Sequence, residues 1–408
     1  MADPYDKGAG PRDEMKGLKA MMVEEIRSHL EQRLIPFWSS LRDEEYGGFY
    51  GYMDYNLRVD REAKKGAILN SRILWFFSSA AEALGREDLS GEAEHAFLFL
   101  KERCLDREFG GVFWSVNYNG TPSDTTKHTY NQAFAIYGLS AYYGMRKDPE
   151  ALEIAMQLFR LIETRMRDRD GYLEAFDREF RPVDNEKLSE NGVTAVRTMN
   201  TILHVMEAYT ELYRVTRDQE VADRLYEILK IVREHIFNSE KRRQEVFFDR
   251  DYQSLIDLTS YGHDIEAAWL LTRTAEVLED DAAILETRKM AAVLTEAVYE
   301  AAYDGRSVVS EMEAGVKKEG RIWWVQAESI NGFVDAYQKM PEEERYLDAA
   351  ESIWVYIRDN FIDRREGGEW FWSLTTDGIP EKGPIVEPWK CPYHNGRMCL
   401  EMIKRNVT

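Results

Sequence analysis

Apolar residues recur along this chain with a helical period, in two registers that differ in what lies between them. In stretches such as LKAMMVEEIRSHLEQRLIPFW and GEAEHAFLFLKERCL, they are separated by Glu, Lys and Arg, a pattern that predicts helices with one face in water. In SRILWFFSSAAEAL, TYNQAFAIYGLSAYY, RTMNTILHVMEAYTELY, YGHDIEAAWLLTRTAEVL, WWVQAESINGFVDAYQKM and YHNGRMCLEMIKR, the intervening residues are mostly Ala, Ser, Gly and aromatics. Helices of this second kind are predicted to have protein on every side. Their openings, near residues 71, 129, 197, 261, 323 and 393, are spaced by about sixty to seventy residues, the period of a helix-pair repeat.

Between the helices a second phrase recurs. DEEYGGFYGYMDYN, DREFGGVFWSVNYNG, DRDGYLEAFDREF and DRREGGEWFWSLTTDG each run from acidic residues through glycine into alternating aromatics, a hairpin signal. Weaker versions stand at QEVFFDRDYQS and AYDGRSVVSEM. The expected fold is therefore all-α, an (α/α)6 barrel of six inner and six outer helices with short β-hairpins in the connecting loops. Closure of such a ring would place the last helix beside the first, which explains why the apolar C-terminal stretch PWKCPYHNGRMCLE is expected to be packed. Residues 1–15 are expected to be a disordered N-terminal segment, and 16–408 a single barrel domain that carries the catalysis.

Charge narrows the partners. A formal net charge of −21 over 408 residues disfavours nucleic acid and anionic membrane surfaces, which are themselves negative. No basic start followed by an apolar core marks a leader, and no apolar run has the length of a membrane span, so a cytoplasmic protein is expected. Cys104, Cys391 and Cys399 have no close paired spacing and are read as reduced, buried thiols.

The inner-helix openings carry the chemistry-bearing residues: Arg72; His128 with Tyr130 and Asn131; Asn200 with His204; His263 with Glu266; Trp323, Trp324 and Glu328; His394 with Asn395. Six segments would bring these groups to one mouth. His263 and Glu266, three apart, and Asn200 and His204, four apart, each share a helix face. A carboxylate beside an imidazole fixes its tautomer and raises its basicity; the alternative is an N-terminal cap with a hydrogen-bonded core histidine. His29, His95 and His235 fall in outer-helix patterns and are read as surface or packing residues, while His128 is left as either a cap or a substrate contact. Trp75, Trp269 and Trp354 are expected in the core, and Trp323, Trp324, Trp372 and Trp389 near the mouth, where an indole can stack on a sugar. No metal-site spacing, phosphate-binding glycine loop or serine-nucleophile elbow is present.

ILNSRILWFFS, TKHTYNQAFAIYGLS, YGHDIEAAWLL, IWWVQAE and KCPYHNGRMCLE together closely resemble the cellobiose 2-epimerase family, within the N-acylglucosamine 2-epimerase superfamily, from about residue 20 onward. The resemblance implies an (α/α)6 barrel and reversible C2 epimerisation of the reducing-end glucose of β-1,4-linked disaccharides. Cellobiose, lactose and mannobiose are the expected substrates. No cofactor and no metal are expected, nor is a nucleic-acid or membrane partner, and the protein is expected to be a monomer or weak homo-oligomer. It implies His204, His263 and His394 as catalytic, and Arg72, Tyr130, Asn200, Glu266, Trp324 and Trp389 as substrate contacts or supports. One departure is Ile202, where the family often has a second histidine. Two residues apart on a helix face different ways, so Ile202 is expected to matter little for proton transfer. An inverting glycoside hydrolase using Glu266 or Glu328 is the alternative enzyme, and a non-catalytic sugar-binding relative is a third reading.

Overall fold

The computed structural model describes residues 21–188 and 191–405; the expected disordered segment 1–15 lies outside them. Twelve helices run through the described residues. The outer six are α1 (21–29, continuing through a π turn at Leu30–Leu34 into Ile35–Ser40), α3 (Ser90–Phe99, ending in a π turn at Leu100–Cys104), α5 (Pro149–Arg165), α7 (Gln219–Ile231, with a π turn at Val232–Ile236), α9 (Asp281–Ala301) and α11 (Arg345–Tyr356, with a π turn at Ile357–Phe361). The inner six are α2 (Ala67–Leu84), α4 (Thr129–Arg146), α6 (Met199–Thr216), α8 (Tyr261–Leu278), α10 (Trp323–Lys339) and α12 (His394–Arg405). Each inner helix packs on the next, and α12 packs back on α2, which closes the (α/α)6 ring.

The composition of the inner helices follows from this crowding. On α4, a Cβ at Gly138 would stand 2.5 Å from the Ser71 carbonyl oxygen, so glycine sets how closely α4 approaches α2. Nearly every position in the first three turns of α2 and α4 is buried, whereas α7 buries only one stripe. Two environments thus impose the two apolar registers seen in the sequence.

All six turn phrases form antiparallel pairings. Arg42 bridges Phe49, Leu105 bridges Val112, Arg167–Asp168 pairs with Gly171–Tyr172, Phe237–Asn238 with Arg243–Gln244, Tyr303 bridges Val308, and Ile362 bridges Trp370. The strand leading into an inner helix then pairs with the following repeat: Lys65–Gly66 with Ser115–Val116, Lys127–His128 with Ala175–Phe176, Arg197–Thr198 with Phe247–Phe248, Leu258–Ser260 with Glu311–Glu313, and Arg321–Ile322 with Ser373–Leu374. A bridge between Met53 and Val386 links the first and last repeats at this same end.

A buried cation fastens each hairpin to the inner helix it precedes. Lys65 Nζ donates to Asp43 Oδ2 at 2.5 Å, Lys127 Nζ to Asp106 Oδ2 at 3.0 Å, Arg197 Nη2 to Asp168 Oδ1 at 2.7 Å and Arg321 Nη2 to Asp304 Oδ2 at 2.8 Å; Lys390 Nζ donates to Glu369. In the fourth repeat Thr259 takes the position and accepts from Arg243 Nη1 at 3.0 Å. Among the described residues no helix is long and apolar enough to cross a membrane. All three cysteines are free and buried.

Candidate functional site

Counting from these fastening positions gives the site its depth. Lys65 to Arg72, Lys127 to Phe134, Arg197 to His204, Thr259 to Glu266, Arg321 to Glu328 and Lys390 to Arg397 are each a step of seven residues. Since each fastener holds its helix at the same height, those six side chains form one ring inside the barrel. One helical turn nearer the mouth stand Tyr130, Asn200, Gly262, Trp324 and Tyr393, with His263 and His394 beside them. The absence of a side chain at Gly262 makes room for Trp324, whose ring atoms would lie 2.5 Å from a Cβ there.

Above the ring lies a cavity of about 300 Å³ whose wall includes Arg72, Tyr130, Asn200, His204, His263, Glu266, Trp324, Trp389 and His394. All nine side chains expected at the site therefore meet in one space. The cavity also takes in Trp323 and Trp372. A larger cavity, of about 610 Å³, opens on the outside between α1 and α11 around His29 and Trp354, and receives none of the inner-helix openings.

Each of the three histidines is held by Nδ1. His204 Nδ1 bonds Glu207 Oε2 at 2.9 Å, His394 Nδ1 bonds Glu328 Oε1 at 2.8 Å, and His263 Nδ1 bonds Ser260 Oγ at 2.7 Å. Among the described residues no hydrogen bond is made by Nε2 of these rings, and all three line the cavity. His263 and His394 both stand against the Trp324 indole, with ring centroids 4.8 and 5.3 Å away. Burial lowers the basicity of all three: His263 falls to about 3, His204 is lowered despite its bond to Glu207, and His394 is held well below the usual imidazole range by burial and then by Arg397 and Arg72. All three shifts favour the neutral imidazole at neutral pH.

The shared face of His263 and Glu266 does not produce the expected imidazole–carboxylate pair. Glu266 turns to the guanidinium of Arg397, a stronger partner than a neutral ring, and His263 takes the Ser260 hydroxyl instead. Arg397, buried, donates through Nη1 to Glu207 and through Nη2 to Glu266 and, at 2.6 Å, to Glu328 Oε1. Tyr393 Oη donates to Glu207 as well. Burial pushes the Glu207 carboxyl up, but the Arg397 charge and the His204 bond outweigh it and hold Glu207 below the usual carboxylate range. Burial and the neighbouring Glu328 push Glu266 up to about 8 against the pull of Arg397, and burial raises Glu328 likewise. Two carboxyls facing one guanidinium nitrogen retain a proton between them. Glu266, Glu328 and His394 bring one oxygen or nitrogen each within 4.8 Å of one another, but Arg397 Nη2 already bonds both carboxylates of this group.

Arg72 is the opposite case, a buried cation with no carboxylate in ion-pair reach among the described residues. Its Nη2 donates to Tyr130 Oη at 2.7 Å and its Nη1 to Cys391 Sγ at 3.7 Å, while Nε has no partner. The Phe134 and Tyr393 rings lie 4.1 and 4.6 Å from the guanidinium carbon. A buried cation without a counter-ion can stabilise negative charge brought beside it. Asn200 Oδ1, Glu266 Oε2 and Trp323 Nε1 are likewise buried without hydrogen-bond partners among the described residues, and belong to residues of the cavity wall.

Ile202 is fully buried and absent from the cavity wall. It stands five residues after Arg197, as Asn70 does after Lys65, Gln132 after Lys127 and Gln326 after Arg321. Those polar side chains bond the hairpin backbone at Phe49, Val112 and Val308. In the third repeat Thr198 N and Thr201 Oγ1 bond Glu174 instead, at 2.7 and 2.6 Å. His29, His95 and His235 pack away from the cavity: His29 Nε2 accepts from Trp370 Nε1 at 2.8 Å, His95 Nε2 lies 2.9 Å from the Gly48 oxygen, and His235 stacks on Tyr252. Glu207, Arg397, Tyr393 and Ser260 were not singled out from the sequence. Glu207 and Arg397 each stand three residues after a cavity histidine, the same spacing that drew attention to Glu266.

A closed (α/α)6 ring with three tethered imidazoles and an unpaired arginine around a cavity of sugar size defines a carbohydrate-active barrel built for acid–base chemistry. The chain belongs to the N-acylglucosamine 2-epimerase (GlcNAc 2-epimerase) family, whose model matches residues 47–395. It is 51% identical over 403 residues to the cellobiose 2-epimerase of Eubacterium cellulosolvens, covering 95% of this chain and 99% of that one. The crystal structure of a sugar epimerase from a ruminal bacterium superposes with a TM-score of 0.93 at 47% identity, covering 95% of this chain and 100% of that one. The cellobiose 2-epimerase of Bacillus thermoamylovorans B4167 superposes with a TM-score of 0.91 at 43% identity, covering 94% and 99%. A GH76 α-mannanase of Bacteroides thetaiotaomicron, at 12% identity and a TM-score of 0.63 over 95% of this chain and 97% of that one, shares the fold alone.

Proposed function

We propose that this enzyme epimerises C2 of the reducing-end glucose of β-1,4-linked disaccharides, converting cellobiose to glucosyl-mannose, with lactose and mannobiose as further substrates. The observation that carries the reading is the set of three imidazoles, each fixed at Nδ1 on the wall of one cavity, beside an arginine without a carboxylate in ion-pair reach. The hydrogen on C2 is removable only in the open-chain aldehyde, where the carbonyl can take up the electron pair. His204 assists ring opening, passing the O1 hydroxyl proton toward the ring oxygen as the C1–O5 bond breaks. One of His263 and His394 then removes the C2 proton, and the electron pair moves into an enediolate. Its charge falls on O1, where Arg72 stabilises it. The abstracting ring holds that proton as an imidazolium, the other histidine takes one up from solvent and returns it to the opposite face of C2, the first ring then releases its proton to solvent, and the sugar ring closes as the manno epimer. Neutral imidazoles suit the abstracting role, and the carboxylate behind His394 stabilises the imidazolium that forms. No cofactor enters this scheme; a cytoplasmic monomer or weak homo-oligomer is its setting.

The inverting-hydrolase alternative needs two carboxyls about 6.5–9.5 Å apart, with a water between them and the sugar. Here one Arg397 nitrogen bonds both Glu266 and Glu328, which leaves neither free to stand across a glycosidic bond. The test is conversion of cellobiose in deuterated water. Deuterium appearing at C2 as the manno epimer forms is the expected result; epimer without exchange contradicts the proton-transfer scheme, and free glucose revives the hydrolase.

A further inference from the structure

His128 has no part in the chemistry above, yet it is fully buried at the edge of the site. Its Nδ1 accepts from the Tyr130 backbone N–H at 3.3 Å, capping α4 and fixing the proton on Nε2. Nε2 then reaches Asn185 Oδ1 at 3.0 Å, and that same oxygen accepts from the Leu188 N–H at 3.1 Å. Lys187 and Leu188 line the cavity. Lys187 is held in turn by Asp124 at 2.6 Å and by the Trp114 ring, 5.4 Å away; Trp114 lies 5.6 Å from His128 and 5.9 Å from Trp389. These contacts make one wall on the mouth side of the cavity. With the reacting ring at the histidines, the second sugar ring lies outward, where this wall is one of the surfaces that the cavity offers it.

We propose that His128 is a positioning residue for the outer sugar ring, clasping the 185–188 segment to the start of α4 so that Lys187 and Leu188 present a fixed surface to the disaccharide. This rests on reading the cavity as a disaccharide site. Burial holds the His128 ring down to about 4, so the clasp keeps a single tautomer across the working pH range.

The cap and the clasp are separable. His128→Asn keeps a short acceptor for the Tyr130 N–H but does not reach Asn185, Asn185→Ala removes the acceptor from the other side, and His128→Gln restores a donor of sufficient length. Steady-state kinetics on cellobiose should show KM raised roughly five- to tenfold in His128→Asn, the loss of one hydrogen bond, and at least as much in Asn185→Ala, which also removes the acceptor of the Leu188 N–H. We expect kcat within about twofold of wild type, partial recovery of KM in His128→Gln, and a double variant no worse than the worse single one. Wild-type KM with only a lowered Tm overturns the proposal in favour of a structural cap. A fall in kcat at unchanged KM overturns it in favour of a role in the chemistry. The wild-type enzyme in deuterated water, run alongside, tests the epimerase reading separately: failure of exchange there condemns that reading whatever the variants do.

Discussion

Arg397 and Glu328 meet at 2.6 Å beneath the cavity, and the Glu328 oxygen that accepts from Arg397 also bonds His394 Nδ1. The guanidinium therefore ties the orientation of a cavity histidine to the charge of the ring below it. In Arg397→Met, Glu207, Glu266 and Glu328 lose their common cation while staying buried. Removing one partner from a buried ionic cluster costs about 3–5 kcal/mol. A large fall in Tm is expected, together with loss of epimerisation in whatever protein remains folded.

His394 and Glu328 separate chemistry from orientation. In the proposed scheme His394→Ala removes a base, and loss of one such group lowers kcat by about 10²–10⁴-fold. Glu328→Gln keeps a hydrogen-bonding partner at His394 Nδ1 but removes the charge that stabilises the imidazolium. It should lower kcat by less than His394→Ala while leaving KM near wild type. Equal losses in the two variants would mean that Glu328 contributes more than support.

Arg72 has no carboxylate to lose, so its replacement should spare stability and, in the proposed scheme, strike the transition state. Arg72→Met keeps the apolar stem between Phe134 and Tyr393. The expected effect is a kcat lower by about 10²–10³-fold, the cost of removing one oxyanion donor. Thermal unfolding beside steady-state kinetics checks both halves.

The titrations act in opposite directions. His263 has a folded pKa of about 3, below its ordinary 6.5, so the unfolded chain binds more protons and the stability this ring contributes at neutral pH is lost as pH falls from about 6.5 toward 3. Glu266, raised from 4.5 to about 8, binds its proton more tightly when folded; its contribution is present at low pH and is lost as pH rises through about 8. Activity should fall on the alkaline side near that value, as a second charge forms beside Glu328. Glu266→Gln, which keeps the neutral shape, should flatten that alkaline limb in a kcat profile while lowering the plateau.

The fold was legible because two burial regimes impose two compositions: α2 and α4 have protein on all sides and exclude charge, whereas α7 keeps one wet face. The site was legible as far as side chains cluster at helix openings. What lay deeper was not. Glu207 and Arg397 look like ordinary charged helix residues, and only closure of the ring places them together, 190 positions apart. The His263–Glu266 spacing misled for the same reason: a shared face says which residues are neighbours, not which long-range cation takes the carboxylate. Ile202 is explained by the repeat register, which assigns its position to the hairpin contacts and away from the cavity.

The last fastening pair gives the sharpest test of closure. Lys390 and Glu369 are both fully inaccessible, and Glu369 also accepts from Asn395 at the start of α12, at 2.5 Å, and from Trp38 Nε1 in α1, at 3.4 Å. This one carboxylate therefore joins the final helix to the first repeat. Lys390→Met conserves the stem but leaves Glu369 buried without its cation, at a cost of about 3–5 kcal/mol. Because Lys390 does not line the cavity, kcat per folded molecule at low temperature should stay close to wild type while Tm drops. Lys390→Met combined with Glu369→Gln, which removes the stranded charge, should recover much of the loss. If the double variant is no more stable than Lys390→Met alone, the pair is not what holds α12 in the ring.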